Sequence, residues 1–145
     1  MLNAGKKENT KSWQVPSDLS EVQKTSDQIL SFFKPLGLKE GLCFDIRLCF
    51  EEALINAMKY GNGLKRETPV DVQAGYNEEK IWLRLEDCGK GFDVSKAQDC
   101  TRQENLLKEG GRGIFLIHRL MDEVKYNTQG NCILMVKSIR GAGPR

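Results

Sequence analysis

At 145 residues and a formal net charge of +2, the chain fits one domain, and a domain of this size buries roughly two thirds of its unfolded surface without covalent staples. Its 22 basic and 20 acidic side chains form no basic block, which argues against a direct nucleic-acid or membrane-surface footprint. Five cysteines, odd in number and without C-x-x-C spacing, read as reduced thiols of a cytoplasmic protein, and no stretch approaches the ~20 apolar residues that cross a bilayer.

Residues 1–11 are small, polar and charged and are expected to form a disordered tail, since they carry too little apolar surface to offset ordering. One domain is expected over 12–140, with 141–145 as a second tail. Trp13 and Val15 alternate with polar neighbours as in a short edge strand over 12–15, which Pro16 breaks. Ser17 or Asp18 can cap the following helix, with Glu21 completing a capping box. Leu19, Val22, Ile29, Leu30 and Phe33 give that helix its apolar stripe, and Pro35-Leu36-Gly37 ends it.

The longest helical pattern covers 42–62. Wound at about 100° per residue, it gathers Leu42, Ile46, Cys49, Phe50, Ala53, Ala57 and Tyr60 into one arc. Asp45, Glu52, Asn56 and Lys59 fall along one border of that arc, while Glu51 faces solvent. Glu52 and Asn56 therefore stand one turn apart, where a helix edge meets a cavity. Gly61-Asn62-Gly63 stops the helix.

The period then changes to two. Val70, Val72, Ala74 and Tyr76 alternate with polar residues, as do Ile81, Leu83 and Leu85 after a turn at Asn77-Glu78-Glu79, which predicts a hairpin with one face buried on the helices. The second strand runs into Asp87-Cys88-Gly89-Lys90-Gly91-Phe92, whose glycines permit close backbone approach. Residues 94–110 are polar and weakly patterned, as in a lid. Gly110-Gly111-Arg112-Gly113 opens a helix carrying Ile114, Phe115, Ile117, Leu120 and Met121. Two strands, 123–127 and 132–139, are joined by Thr128-Gln129-Gly130-Asn131, a hairpin loop. Helices alternating with hairpins predict an α+β two-layer sandwich, a mostly antiparallel sheet covered on one face by helices.

Spacing excludes several familiar sites. No G-x-x-x-x-G-K-[ST] occurs, so there is no P-loop; Gly89-Lys90-Gly91 lacks the third glycine and the immediate helix of a dinucleotide fingerprint. His118 is the only histidine and reads as a helix-surface or packing residue. Three pieces remain: Glu52 with Asn56, Asp87-x-Gly89-x-Gly91-Phe92, and Gly111-x-Gly113. Singly, each has an ordinary use, as a helix edge, a turn or bulge, and loop punctuation.

Together and in this order they resemble the nucleotide site of the Bergerat-fold (GHKL, histidine-kinase-like) ATPases, over nearly the whole chain. The chemistry suits that resemblance. Asp87 can accept a hydrogen bond from the exocyclic amino group of adenine, and Gly91 lets the base approach. The Asn56 amide oxygen is a hard ligand for Mg²⁺, whose octahedron phosphate and water complete. Free N–H groups beginning the helix at Gly111, Arg112 and Gly113 form an anion site. Glu52 can take a proton from an attacking hydroxyl.

In a chain of 145 residues, neither the transducer nor the dimerisation domain of other subgroups is expected. The chain is similar to the bacterial anti-sigma-factor serine/threonine kinases, which run EEA-x-x-NA-x-x-x-G, D-x-G-x-GF and GRG-x-x-L-I-x-x-L-MD; here these are 51–61, 87–92 and 111–122. Tyr60 stands where that family often has histidine. The resemblance implies a homodimeric kinase that uses ATP and Mg²⁺, sequesters a sigma factor and phosphorylates a STAS-domain anti-sigma-factor antagonist, with Glu52 catalytic, Asn56 holding the metal, and Asn56, Asp87, Gly89, Gly91, Gly111, Arg112 and Gly113 binding nucleotide. Two other readings stay open: a catalytically silent nucleotide-binding partner-switch module, and an α+β binding domain that is not an ATPase.

Overall fold

The computed structural model describes residues 8–89 and 111–139. Gly91, Phe92, the whole of the expected lid over 94–110 and the tail over 141–145 lie outside the described residues. In chain order the elements are β1 (Asn9–Val15), α1 (Val22–Phe33), α2 (Glu40–Asn56), β2 (Val70–Tyr76), β3 (Lys80–Glu86), α3 (Gly111–Leu120), β4 (Glu123–Tyr126) and β5 (Cys132–Ser138). The strands form one antiparallel sheet in the order β1-β2-β3-β5-β4. This is the α+β layering that alternating helices and hairpins predict.

The period-two pattern decides which face the helices cover. Val70, Val72 and Ala74 of β2 and Ile81, Leu83 and Leu85 of β3 are buried with Ile29, Phe33, Ile46, Phe50, Leu54 and Ile117 of the helices in one core. Trp82 points to the other side, where it lies over Gly75: a Cβ at 75 would collide with the indole ring. Lys137 is buried too, its Nζ donating to Leu120 O at 2.8 Å and so satisfying a carbonyl at the end of α3.

Several local expectations change. β1 starts at Asn9, inside the segment expected to be a loose tail, because its backbone pairs with β2 from Asn9↔Tyr76 to Val15↔Val70; a partner ladder supplies the hydrogen bonds that composition cannot. Asp18 does cap, accepting from Ser20 N at 3.0 Å, but it opens a short 3₁₀ turn, Leu19–Glu21, ahead of α1. No capping box forms: Asp18 N donates to Pro16 O, and the Glu21 carboxylate reaches Lys24 and Arg66. Leu19 is consequently exposed rather than part of the stripe.

The central helix departs most. Regular α geometry ends at Asn56, and Ala57–Gly61 is a π-helical turn closed by Asn62 N donating to Ala57 O at 2.9 Å. An extra residue per turn rotates everything after Asn56. Met58 is therefore buried and Tyr60 is 55% exposed, the reverse of what a uniform 3.6-residue period predicts. Glu51 also differs from expectation. It is only 28% exposed and pairs with Arg47 at 3.3 Å, while Arg47 reaches Asp27 of α1 at 2.7 Å.

Candidate nucleotide site

The C-terminal half of α2 carries the arrangement. Glu52 and Asn56 precede the π turn, so their one-turn spacing is true α spacing. α2 packs against α3, and the closest approach leaves no space for a side chain at Gly113: a Cβ there would collide with Glu52 Oε2 and stand 3.3 Å from Glu52 Cδ. The first turn of α3, where free backbone N–H groups and the positive end of the helix dipole lie, is thereby brought beside a carboxylate. Gly111 and Arg112 form the same turn.

Nine residues after Glu52, at the end of the π turn, a second close approach occurs. Asp87 follows β3, and its carboxylate lies directly on Gly61, where a Cβ would collide with Cγ, Oδ1 and Oδ2. Gly89 closes this corner, since a Cβ there would collide with Gly61 O. Gly89 N donates to Asp87 Oδ1 at 2.8 Å. Burial pushes the Asp87 carboxyl above the usual carboxylate range, the Gly89 N–H pulls it back, and Glu86 raises it again. Asp87 N donates to Asn131 O at 2.9 Å, and Asn131 Nδ2 donates to Asp87 O at 3.1 Å. The turn holding Asn131 is shaped by Asn127, whose Oδ1 accepts from the N–H groups of Gly130, Asn131 and Cys132.

The structure thus gathers Glu52, Asn56, Asp87, Gly89 and Gly113 along the C-terminal half of α2 and the π turn that follows it. Gly91 lies outside the described residues, and nothing is described of the Arg112 side chain. Among the described residues, no group of three histidine, cysteine or acidic side chains is placed to hold a metal. A cation that keeps several waters and phosphate oxygens fits such a sparse donor set, to which Asn56 would contribute one oxygen. His118 is half-buried, with Nε2 3.4 Å from Tyr126 Oη, and takes no part. Cys43, Cys49, Cys88 and Cys132 are free thiols.

Two contributions to the geometry of this corner escape sequence reasoning. Gly61 reads as a helix stop, yet it makes room for a carboxylate 26 residues later. Asn62 reads as turn punctuation, yet it is buried, and its Oδ1 accepts from Cys88 N at 2.8 Å. No local pattern marks either, because their partners are distant in sequence.

The family of histidine kinase-like ATPase domains matches residues 15–137. The chain is 33% identical over 102 residues to a protein of Oceanobacillus iheyensis named serine-protein kinase RsbW, covering 66% of this chain and 65% of that one. It is 29% identical over 102 residues to the protein of the same name from Listeria monocytogenes, with the same coverage. With the one from Staphylococcus aureus it shares 31% identity over 142 residues, 92% of this chain and 89% of that protein. The match to the first two spans just under two thirds of their length. Among the described residues, no helix is long and apolar enough to cross a membrane.

Proposed function

Because the chain belongs to the histidine kinase-like ATPase family, we propose that it is a Mg-ATP-dependent serine protein kinase and anti-sigma factor, one that sequesters a sigma factor and phosphorylates a serine of a STAS-domain antagonist. The observation that carries the kinase reading is the contact of Glu52 with Gly113. It sets a carboxylate beside the anion-binding end of α3, one turn from Asn56, where a base must stand to deprotonate a hydroxyl aligned with a γ-phosphate. Asp87, half-buried on Gly61, is suited to accept from the adenine amino group. Asn56 would hold Mg²⁺, which when bound neutralises phosphate charge. Gly89 and Gly91 would admit the base, and Gly111, Arg112 and Gly113 the phosphates.

The named kinase relatives support protein-serine kinase activity, and sigma factor, STAS partner, homodimer and cytoplasmic location extend that reading. The test is transfer of labelled γ-phosphate from Mg-ATP to a STAS-domain protein of the same genome, beside a pull-down of sigma factors. Transfer to serine with co-purification of one sigma factor is the expected result. Tight ATP binding without transfer to any candidate would make the protein a nucleotide-binding partner switch. Absence of ATP binding would overturn the site.

A further inference from the structure

We propose that Asn62 is a positioning residue for Asp87, tying the residue after Asp87 to the end of α2 so that the carboxylate is aimed for recognition of an exocyclic amino group. The proposal rests on the nucleotide reading above and assigns a role to a residue outside every motif of the site.

Asn62 is 5% exposed, and each polar atom of its side chain is partnered. Nδ2 donates to Thr68 O at 2.9 Å, with Ser17 Oγ at 3.1 Å and Pro69 O at 3.2 Å beside it. Ser17, itself buried, donates from Oγ to Thr68 O at 2.6 Å. One edge of the amide is therefore anchored to the segment before α1 and to the lead into β2. The other edge, Oδ1, accepts from Cys88 N at 2.8 Å. The backbone N–H closes the π turn on Ala57 O. One residue thus joins the neighbour of Asn56 to the neighbour of Asp87.

The consequence for recognition is directional. Asp87 lies on Gly61 without a side chain between them, so its location relative to α2 depends on where Asn62 holds Cys88. A hydrogen bond weakens steeply as its angle falls toward about 120°. Freeing the Cys88 amide from Asn62 Oδ1 would let the loop rotate and misdirect the carboxylate.

The test compares Mg-ATP with Mg-ITP, which carries an oxo group in place of the amino group, by isothermal titration of the full chain, with melting curves for every variant. Wild type should prefer ATP by about 10- to 100-fold, the span of one hydrogen bond to a charged group. Asn62→Ala should narrow that ratio to within about threefold of unity through loss of ATP affinity, with ITP little changed. A purely structural Asn62 would instead weaken both nucleotides together. Asn62→Asp keeps an acceptor for Cys88 N and should recover the ratio, although it melts lower because its carboxylate faces two carbonyl oxygens. If Asn62→Ala does not fold, Asn62→Gln, whose extra methylene displaces the acceptor, should narrow the ratio in its place. A wild-type ratio in folded Asn62→Ala or Asn62→Gln overturns the proposal alone. Wild type that binds neither nucleotide overturns the nucleotide reading, and this proposal with it.

Discussion

Gly113 has no room for a side chain because Glu52 occupies that space: a Cβ on Gly113 would collide with Glu52 Oε2. A glycine that reads as loop punctuation thereby becomes the wall of a carboxylate site, and the proposed base and the proposed phosphate-binding turn meet at a single contact. The atom in the way is the far end of a flexible side chain, so a methyl group at 113 should move Glu52 rather than the helix. Gly113→Ala is expected to keep its melting temperature within a few degrees and to lose about 100-fold in phosphoryl transfer, the cost of roughly 1 Å of misplacement. Full activity in a folded Gly113→Ala protein would remove the contact from the mechanism.

The two adjacent glutamates should differ sharply. Glu52→Gln is expected to retain Mg-ATP binding and to lose about 10²- to 10⁴-fold in transfer rate. Glu51→Gln breaks a part-exposed pair with Arg47, an interaction worth about 0–1 kcal/mol, and Arg47 keeps Asp27. Its transfer rate should be close to wild type and its stability slightly lower. Equal damage from both substitutions, measured with labelled ATP, would contradict the geometry.

Asn56 should separate binding from base chemistry. Asn56→Ala is expected to abolish the Mg²⁺-dependent part of ATP affinity while leaving the fold intact by circular dichroism. Titration with ATP in the presence of Mg²⁺ or of a chelator reads this directly, and an unchanged Mg²⁺ dependence would move the metal elsewhere.

Asp87 gives a pH prediction with a definite sign. Its folded pKa lies above the ordinary value, with burial as the first cause. The folded state therefore holds the proton more tightly than the unfolded one, and this group lowers stability as pH rises from the ordinary carboxylate value through its raised one. Asp87→Asn removes that penalty. It should melt at or above wild type at neutral pH, converge with it in acid, and bind ATP more weakly. A variant that is destabilised at neutral pH would show that the carboxylate stabilises the corner instead.

The thiols should divide by environment. Burial, helped by Asp45, pushes the Cys49 thiol up to about 12, so it should stay inert to a thiol reagent in the native protein at pH 8. Cys88 is exposed beside Asp87 and should react, more slowly with Mg-ATP bound. Mass spectrometry of labelled peptides distinguishes the two, and labelling of native Cys49 would sink the assignment.

Local patterns were enough for much of this molecule. The alternation in 70–76 and 81–85 specified both strands and their buried face, because a period of two leaves no other way to bury Val70, Val72, Leu83 and Leu85 together. The one-turn spacing of Glu52 and Asn56 was legible because it falls within regular helix. What was not legible begins one residue later. The π turn at Ala57–Gly61 depends on a hydrogen bond closed by Asn62, whose side chain is itself held by Ser17, Thr68, Pro69 and Cys88. A helical wheel extrapolated through it misplaces Met58 and Tyr60.

The sequence by itself thus determined the layers, the order of the elements and the residue types offered to a nucleotide, since periodicity and local spacing act over a few residues and need no partner. Only the tertiary structure decided which glycine serves which acid: Gly61 for Asp87, and Gly113 for Glu52. Those pairings are steric, made between segments far apart in the chain, and a missing side chain leaves no trace in the sequence of what fills its place.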